Sequence, residues 1–222
     1  MIKRPVVIGI AVAVAGITAA CGSPASPGTQ DSESGFTSLF NGTDFTGWRF
    51  GGPPESFTIR EGAMVANGEV SHAYYDGPFR SHRFRNFELK IEVMTRPGSN
   101  GGVYVLTEFQ DAGFPATGFE IQVNNTNIDR IKTGSLYHVQ DILDQSPVRD
   151  DEWFTEHIIV KGETITVFVN DKQVVQWTQP PDWNGGIDGP GRRITGPGTI
   201  ALQGHDPNST VYYKNIRIKP LD

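Results

Sequence analysis

The chain of 222 residues contains a single cysteine, Cys21. One thiol cannot form an intramolecular disulfide, and it cannot supply the paired thiolates of a structural zinc site. The sequence also lacks a nucleophile elbow, a phosphate-binding glycine loop, histidines at metalloprotease spacing and an acidic calcium loop. The sequence therefore does not indicate any of the protein classes that these motifs identify.

Basic residues are in the minority. The 19 Lys and Arg against 25 Asp and Glu give a formal net charge of −6, with an isoelectric point near 5.4. Binding to a phosphate backbone requires a clustered basic surface, and the chain has no long basic run. We therefore expect no nucleic-acid partner.

The longest apolar run, residues 6–20, follows Lys3 and Arg4. It is too short to cross a bilayer comfortably, which takes about 20 apolar residues. A short basic region followed by such a run is typical of an export signal. We predict a signal peptide over residues 1–20.

The end of this run resembles a bacterial lipoprotein processing site, Thr18-Ala19-Ala20-Cys21, although a branched aliphatic residue is usual where Thr18 stands. We predict lipidation of Cys21 and a cell-envelope location; cleavage of a plain secretory signal nearby is the alternative. The stretch 21–35 holds no large apolar residue, so it is predicted to be a flexible tether.

Long helical windows are missing, whereas glycine (26) and proline (15) are abundant. Short runs of β-branched, aromatic or alternating residues are separated by turn residues, which predicts many strands. They are 57–60, 64–66, 87–93, 102–106, 157–161, 164–169, 173–177, 198–203 and 211–219. This pattern favours an all-β antiparallel sandwich or barrel, in one domain over residues 36–222.

One predicted strand, residues 118–124, alternates strictly between apolar and polar side chains. The apolar set should face a core, and the polar set should lie on the other face, about 6 to 7 Å apart along the strand. A carboxylate flanked by amides suits a hydroxyl-rich ligand, although an ordinary solvated face gives the same pattern. The polar set is Glu120, Gln122 and Asn124.

A second polar cluster ends the strand near residue 203, where Gln203 and His205 should share a face. Histidine at a strand end can act as a base, an acid or a metal ligand, or can simply be a hydrogen-bonded structural residue. The other histidines show no ligand spacing.

A third cluster covers residues 132–137, where Gly134 suits a turn that brings Lys132 and Tyr137 towards one region. The lysine there could stabilise an oxyanion or be solvated. The Pro- and Gly-rich stretch 179–197 is predicted to be a long loop, either functional or disordered. Its Trp183 could stack on a sugar ring or anchor the loop.

The segments in order resemble the 3-keto-disaccharide hydrolase family, formerly a domain of unknown function. The opening motif, residues 36–48, is the most specific match. The other blocks are Asn86-Phe87-Glu88-Leu89, Asn100-Gly101-Gly102-Val103-Tyr104, Gly118-Phe119-Glu120-Ile121-Gln122, Thr133-Gly134-Ser135-Leu136-Tyr137, Glu152-Trp153, Val169-Asn170-Asp171, residues 198–205 and residues 214–218. The resemblance implies a concanavalin A-like, jelly-roll-type β-sandwich.

The chain departs from the family at two positions. Where the family often carries an arginine after its Asn-Ser-Gly strand, this sequence has Leu106 or Thr107, and Lys214 stands where an arginine usually precedes the final Asn-Ile. Lysine is a point charge and does not offer the bidentate fork of arginine.

The resemblance implies cleavage of glycosides already oxidised to a ketone at C3. The C3 carbonyl acidifies the C2 proton, so a base can remove it, the C1 substituent leaves by elimination, and water then adds. This chemistry does not need two carboxylates, and Glu120 has no second acid at i+2. The implied catalytic residues are Glu120 and His205; the implied substrate-binding residues are Asn100, Gln122, Lys132, Tyr137 and Gln203.

Three alternatives remain open. A divalent metal held by Glu120 and His205 could replace Lys132 as the oxyanion stabiliser. The domain could also be a non-catalytic, lectin-like sugar-binding module, which the missing arginine favours, or a module that binds a partner protein. The sequence does not specify the sugar, the metal dependence or the oligomeric state.

Overall fold

Strands account for nearly all regular structure in the computed structural model, which describes residues 1–2 and 34–221. Cys21, the predicted tether up to residue 33 and all but two residues of the predicted signal peptide lie outside the described residues. Within the described ranges no helix has the length and apolar character needed to cross a bilayer. The folded unit begins at Gly35.

The strands in chain order are β1 (Thr37–Ser38), β2 (Trp48–Gly51), β3 (Phe57–Arg60), β4 (Ala63–Ala66), β5 (Ser71–Tyr75), β6 (Phe87–Thr95), β7 (Gly101–Thr107), β8 (Phe119–Val123), β9 (Phe154–Lys161), β10 (Thr164–Val169), β11 (Lys172–Thr178), β12 (Thr199–Gly204) and β13 (Val211–Pro220). Short 3-10 helices cover Pro54–Ser56, Phe79–His82 and Gly186–Asp188. These bounds confirm the predicted strands to within a few residues.

Two antiparallel sheets pack face to face, which confirms the predicted β-sandwich. The first has the order β11-β10-β9-β6-β13-β4-β3, with β1 paired to β13, and the second has the order β2-β5-β12-β7-β8. Neighbouring strands that are distant in sequence, such as β13 between β4 and β6, make the topology non-local. The second sheet carries the candidate site, so we call it the site sheet.

Alternation along the strands fills the core between the sheets. On β6 the side chains of Phe87, Leu89, Ile91 and Val93 are wholly buried, and the intervening positions are partly exposed. On β8 the apolar set predicted to face the core does so. On β6 and β8 the apolar pattern therefore determined which face of the strand is turned to the core.

The opening motif, residues 36–48, fixes the chain to the edge of this core. Asn41 accepts hydrogen bonds from the backbone N–H groups of Thr43 (2.8 Å) and Asp44 (3.0 Å), which forms an Asx turn. Trp48 is buried and donates its indole N–H to the Leu39 carbonyl at 2.9 Å. The most family-specific segment of the sequence thus has a structural function.

The polar side chains of β8 are buried, so the solvated-face alternative for this strand does not hold. The segment 133–137 runs alongside β8, with Tyr137 N–H donating to Glu120 O (3.0 Å) and Gly134 N–H to Gln122 O (2.9 Å). This segment therefore continues the site sheet past β8, which is not a free sheet edge. Asn124 is fully buried, and its amide N–H groups donate to the carbonyls of Asp129 and Ile131.

The predicted long loop, residues 179–197, is held against the domain by Trp183. This side chain packs edge-on against Trp177 with ring centroids 5.2 Å apart, and its indole N–H donates to Arg192 O at 2.7 Å. Trp183 is therefore a loop anchor, the second of its two predicted roles.

The core contains one carboxyl group, that of Glu156 on β9. It is fully buried, and neither oxygen has a hydrogen-bond partner among the described residues. Burial, with a smaller contribution from the Glu120 charge, raises the pKa of Glu156 well above its usual value. The folded protein therefore keeps this group protonated at pH values where the unfolded chain ionises it.

We predict that Glu156→Gln stabilises the protein increasingly as the pH rises above about 4.3, the ordinary pKa of glutamate. Above that pH, ionisation stabilises only the unfolded wild type, and the difference grows by up to about 1.4 kcal/mol per pH unit. Denaturant unfolding at pH 4.5 and pH 8 measures it. Exposed Glu69 supplies the control, Glu69→Gln; an equal effect of Glu156→Gln at both pH values would contradict the prediction.

Candidate active site

Three polar side chains from neighbouring strands meet on the outer face of the site sheet. Tyr104 on β7 lies opposite Glu120 on β8 in the strand register, and its hydroxyl donates to Glu120 Oε2 at 2.6 Å. Gln203 on β12 donates from Nε2 to Glu120 Oε1 at 2.9 Å. Both carboxylate oxygens are thus held by donors from adjacent strands.

These residues form the floor of a cleft of about 300 Å³. Six of the seven predicted substrate or catalytic residues line it: Asn100, Glu120, Gln122, Tyr137, Gln203 and His205. Four residues that the sequence did not single out complete the lining: Tyr104, Phe114, Asp188 and Arg192. Strand register and loop folding together therefore bring the three predicted clusters into one cavity.

The Glu120 carboxylate is almost completely withdrawn from solvent, with 8% of the residue exposed. Burial raises the pKa of Glu120 to about 7, while the Tyr104 hydrogen bond, the Arg192 charge and the Gln203 hydrogen bond oppose that rise. A carboxyl group with this pKa can take up or release a proton near neutral pH.

The absence of a side chain at Gly102 makes room for this carboxylate. A Cβ atom built there would lie 2.3 Å from Glu120 Oε1 and 2.9 Å from its Cγ. Beside it, the Gln122 amide, oriented with its nitrogen towards the carboxylate, lies 3.3 Å from Glu120 Oε1 and 3.1 Å from the Gly101 carbonyl oxygen. Gln122 is buried, and Asn100 is nearly so.

Arg192 brings a guanidinium group to the cleft from the 179–197 loop. Its Nη1 donates to the carbonyls of Thr117 and Gly118 at 3.2 Å, and its Nε lies 3.9 Å from Asp188 Oδ2. The guanidinium carbon is 5.6 Å from the centre of the Tyr104 ring. Asp188 also contacts His138 Nδ1 at 2.9 Å, so its carboxylate lies between Arg192 and His138.

His205 lies just beyond the end of β12 and is held by its neighbour. Its Nδ1 is 2.7 Å from Asp206 Oδ2, and the same carboxylate oxygen accepts a hydrogen bond from Ser209 at 2.9 Å. An imidazole fixed by a carboxylate at one nitrogen can give or take a proton at the other.

Tyr137 faces the cleft with its hydroxyl already engaged, since that group donates to Asp129 Oδ2 at 3.2 Å. Burial, followed by the Asp129 charge, raises the pKa of Tyr137 above its usual value. The side chain is therefore a neutral aromatic group that can accept a further hydrogen bond.

Lys132 is the one predicted site residue that the structure does not bring to the cleft. Its ammonium group is buried and donates to the carbonyls of Asn127 (2.7 Å) and Asp129 (2.6 Å) and to Asn124 Oδ1 (3.3 Å). These acceptors belong to the loop after β8, which it holds in place. The expected role in oxyanion stabilisation needs correction, because the cation in the cleft is Arg192.

With this geometry established, the whole folded unit can be compared with known proteins. Residues 35–219 match the family described as the 3-keto-alpha-glucoside-1,2-lyase-like domain. The chain belongs to this family. It is also similar to a 3-keto-disaccharide hydrolase of Bacteroides thetaiotaomicron, with 25% identity over an alignment of 235 residues that covers 85% of this chain and 79% of the relative.

Solved structures show the same fold. A crystal structure from Parabacteroides distasonis ATCC 8503, described as a candidate glycosyl hydrolase, has a TM-score of 0.72 at 23% identity and covers 89% of this chain and 99% of that chain. The Crh5 transglycosylase in complex with NAG has a TM-score of 0.53 at 12% identity, with 85% of each chain covered. At these identities the likeness establishes the lectin- and glucanase-type sandwich and nothing further.

The two positions where this member of the 3-keto-alpha-glucoside-1,2-lyase-like family departs from the expected arginines do not line the cleft. Leu106 is buried near the end of β7. Lys214 lies on β13 of the other sheet, where its ammonium is 3.5 Å from Glu92 Oε2 and 3.8 Å from the Trp153 ring. A lysine at position 214 therefore does not weaken the cleft, which already contains a guanidinium.

Of the lining residues that sequence reasoning missed, Tyr104 had a usable signal. It alternates with Val103 and Val105 on the predicted strand 102–106, so when the two valines face the core Tyr104 faces away from it. Arg192 and Asp188 lie in a loop whose path no periodicity predicts, and Phe114 lies in another. Their participation depends on tertiary structure alone.

Within the described part of the chain, no group of three or more His, Cys, Asp or Glu side chains is arranged to hold a metal ion. Glu120 and His205 would be the two ligands from the predicted set, but both Glu120 oxygens already accept hydrogen bonds from Tyr104 and Gln203. Two side chains are fewer than the three or four protein ligands that usually hold a metal ion such as zinc.

We predict that Tyr104→Phe raises the pKa of Glu120 from about 7 by about one unit or more. The tyrosine hydroxyl stabilises the charged carboxylate, and a hydrogen bond to a charged group contributes about 1.5–3 kcal/mol. Carbon-13 NMR titration of glutamate-labelled protein measures the shift. The signal is assigned by its loss in Glu120→Gln, and a Glu120 pKa near 4 in either protein would refute the assignment.

Proposed function

We propose that this chain cleaves 3-keto-glycosides, including 3-keto-disaccharides, by elimination followed by hydration. The observation that carries the proposal is the Glu120 carboxyl group, whose pKa of about 7 suits a base acting at neutral pH. Membership of the 3-keto-alpha-glucoside-1,2-lyase-like family and the similarity to a 3-keto-disaccharide hydrolase support the substrate class.

In the elimination half-reaction, the Glu120 carboxylate removes the proton from C2 of the ketosugar. The electron pair of that C–H bond delocalises into the C3 carbonyl and gives an enolate. Arg192, the cation of the cleft lining, stabilises the developing negative charge on the C3 oxygen. When the carbonyl re-forms, the C1–O bond breaks, a C1=C2 double bond forms, and the leaving oxygen takes a proton from the His205 imidazole.

In the hydration half-reaction, the same two groups act in the opposite direction. His205 accepts a proton from water as the hydroxyl oxygen bonds to C1, and protonated Glu120 returns its proton to C2. The net reaction consumes one water and releases the ketosugar and an alcohol, and both side chains return to their starting states. A single carboxyl group with a pKa near the working pH can serve both steps.

The remaining polar residues would orient the sugar. Gln122 and Asn100 lie beside Glu120 and offer amide donors and acceptors to ring hydroxyls, and Tyr137 offers an aromatic face with a hydroxyl acceptor. Gln203 and Tyr104 hold the carboxylate in one orientation. Rigid placement of the base relative to C2 is itself a large part of the rate advantage.

We predict that the acidic limb of the pH profile of kcat/KM for a 3-keto-disaccharide rises with pH, with an apparent pKa of about 7. The sign follows from the role of Glu120 as a base, which is active when deprotonated. Glu120→Gln is expected to lower kcat by about 10²- to 10⁴-fold at all pH values. Product chromatography over pH 5 to 9 tests this, and a Glu120→Gln variant with wild-type turnover would remove Glu120 from the mechanism.

For the enolate stabiliser, we predict a loss of about 10²- to 10³-fold in kcat for Arg192→Gln. Arg96→Gln is the matched control, since Arg96 pairs with Asp151 on the surface and does not line the cleft. Thermal unfolding of both variants separates loss of catalysis from loss of the 179–197 loop. Equal turnover in the two variants would argue against a role for Arg192.

A lectin-like binding module is the second function considered from the sequence. The absence of the family arginine favoured the binding module, because the cleft then lacked a cation for catalysis. Arg192 lines the cleft and supplies that cation, so this argument for the module no longer applies. Calorimetry with unoxidised and 3-keto-disaccharides, run beside product chromatography, separates the two: binding without product formation would favour the module.

We further propose that the mature protein is attached to the cell envelope through lipidated Cys21, as the Thr18–Cys21 motif predicts. Expression in a bacterial host should place the protein in the membrane fraction, and Cys21→Ser should release it. Mass spectrometry of the N-terminal peptide identifies the lipid; an unlipidated wild-type peptide would support ordinary secretion.

A further inference from the structure

Phe114 differs from the other aromatic residues of the cleft in its exposure. It lines the cleft while 46% of its surface remains open to solvent, whereas Tyr104 is almost fully buried. An exposed phenyl ring that lines a cleft offers apolar surface that a ligand can cover. The mechanism proposed above leaves this ring unused.

Hydrogen bonds within the loop that carries Phe114 hold the loop in one conformation. Gln110 donates from Nε2 to the carbonyl oxygens of Ala112 and Phe114, and its Oε1 accepts from Ala116 N–H at 3.1 Å. At the base of the loop, a Cβ atom at Gly51 would lie 2.1 Å from Gln110 O, so the loop packs directly onto β2. The phenyl ring is therefore presented at a defined position.

Two imidazole rings support the phenyl ring. The centroid of His72 lies 5.7 Å from that of Phe114 at an interplanar angle of 75°, and the centroid of His205 lies 5.6 Å away at 53°. His72 is fully buried, and neither ring nitrogen has a hydrogen-bond partner among the described residues. Burial, followed by the nearby His205, lowers the pKa of His72 to about 3, so this support is uncharged at neutral pH.

The order of groups along the strands of the site sheet assigns a direction to the cleft. Arg192 is hydrogen-bonded to the carbonyls of Thr117 and Gly118, just before β8 begins. Glu120 follows on β8, and His205 lies beyond the far end of β12, with Phe114 packed against it. In the proposed reaction, the enolate oxygen, the C2 proton and the C1 leaving group occur in this same order around the sugar ring.

We propose that Phe114 is the platform on which the leaving group of the substrate stacks, and that it selects for leaving groups with a ring. A second pyranose or an aryl group would place its apolar face on the exposed phenyl ring, next to the imidazole of His205 that protonates the departing oxygen. A methyl leaving group would be too small to cover the ring. This inference rests on the proposed function and adds a specificity-determining residue to it.

The test compares two substrates that share the 3-keto-glucosyl ring, one with a second glucose and one with a methyl group as the leaving group. The wild type should prefer the disaccharide in kcat/KM. Phe114→Ala should reduce that preference by about tenfold, mainly through KM, and Phe114→Trp should restore it. Phe109→Ala is the matched control, since Phe109 lies in the same loop but packs on Tyr74 outside the cleft lining.

Calorimetry on the Glu120→Gln background, with the same two glycosides, makes the test independent of turnover. Weaker binding of the disaccharide alone in Phe114→Ala supports the platform even if no variant shows catalysis, in which case the proposed function fails by itself. Equal losses for both glycosides, or a Phe109→Ala effect as large as that of Phe114→Ala, would show that the ring only shapes the loop and would overturn the inference.

Discussion

Burial of the Glu120 carboxylate is the constraint on which the rest of the site depends. A charged carboxylate loses much of its hydration in such a position, and each lost hydrogen bond must be replaced or the group becomes protonated. The structure replaces two of them, from Tyr104 and Gln203, and places the Arg192 guanidinium nearby. The compensation is incomplete, and the pKa of about 7 is the result.

This burial also explains the unusual layering of the site sheet. A sheet in a sandwich normally packs one face on the core and leaves the other solvated, but here the polar side chains on the outer face are buried, and two loops add Phe114 and Arg192 to the cleft. The segments around the cleft are themselves held by buried polar contacts. Lys132 and Asn124 hold the loop after β8 through its carbonyl groups, which is why a lysine predicted to contact substrate has a structural role.

The two predicted arginine positions illustrate that the cation of a cleft can come from a segment that the sequence pattern does not indicate. Position 214 and the end of β7 do not line the cleft, and the positive charge comes from a loop residue, Arg192. Electrostatic stabilisation of a developing oxyanion depends on where a donor lies in space. A guanidinium can therefore reach the reacting carbonyl from any segment that packs against the cleft.

The sequence alone determined the all-β class, most strands, the core-facing side of strands such as β6 and β8, and six of the cleft residues, because period-two alternation and ordered family motifs are local signals. Tertiary structure alone decided that the polar side chains of β8 are buried, that Glu120 titrates near pH 7, and that Arg192 and Phe114 enter the cleft while Lys132 does not. The physical reason is that desolvation and charge proximity depend on how loops and strands distant in sequence pack together. That packing cannot be read from the periodic pattern of apolar and polar residues.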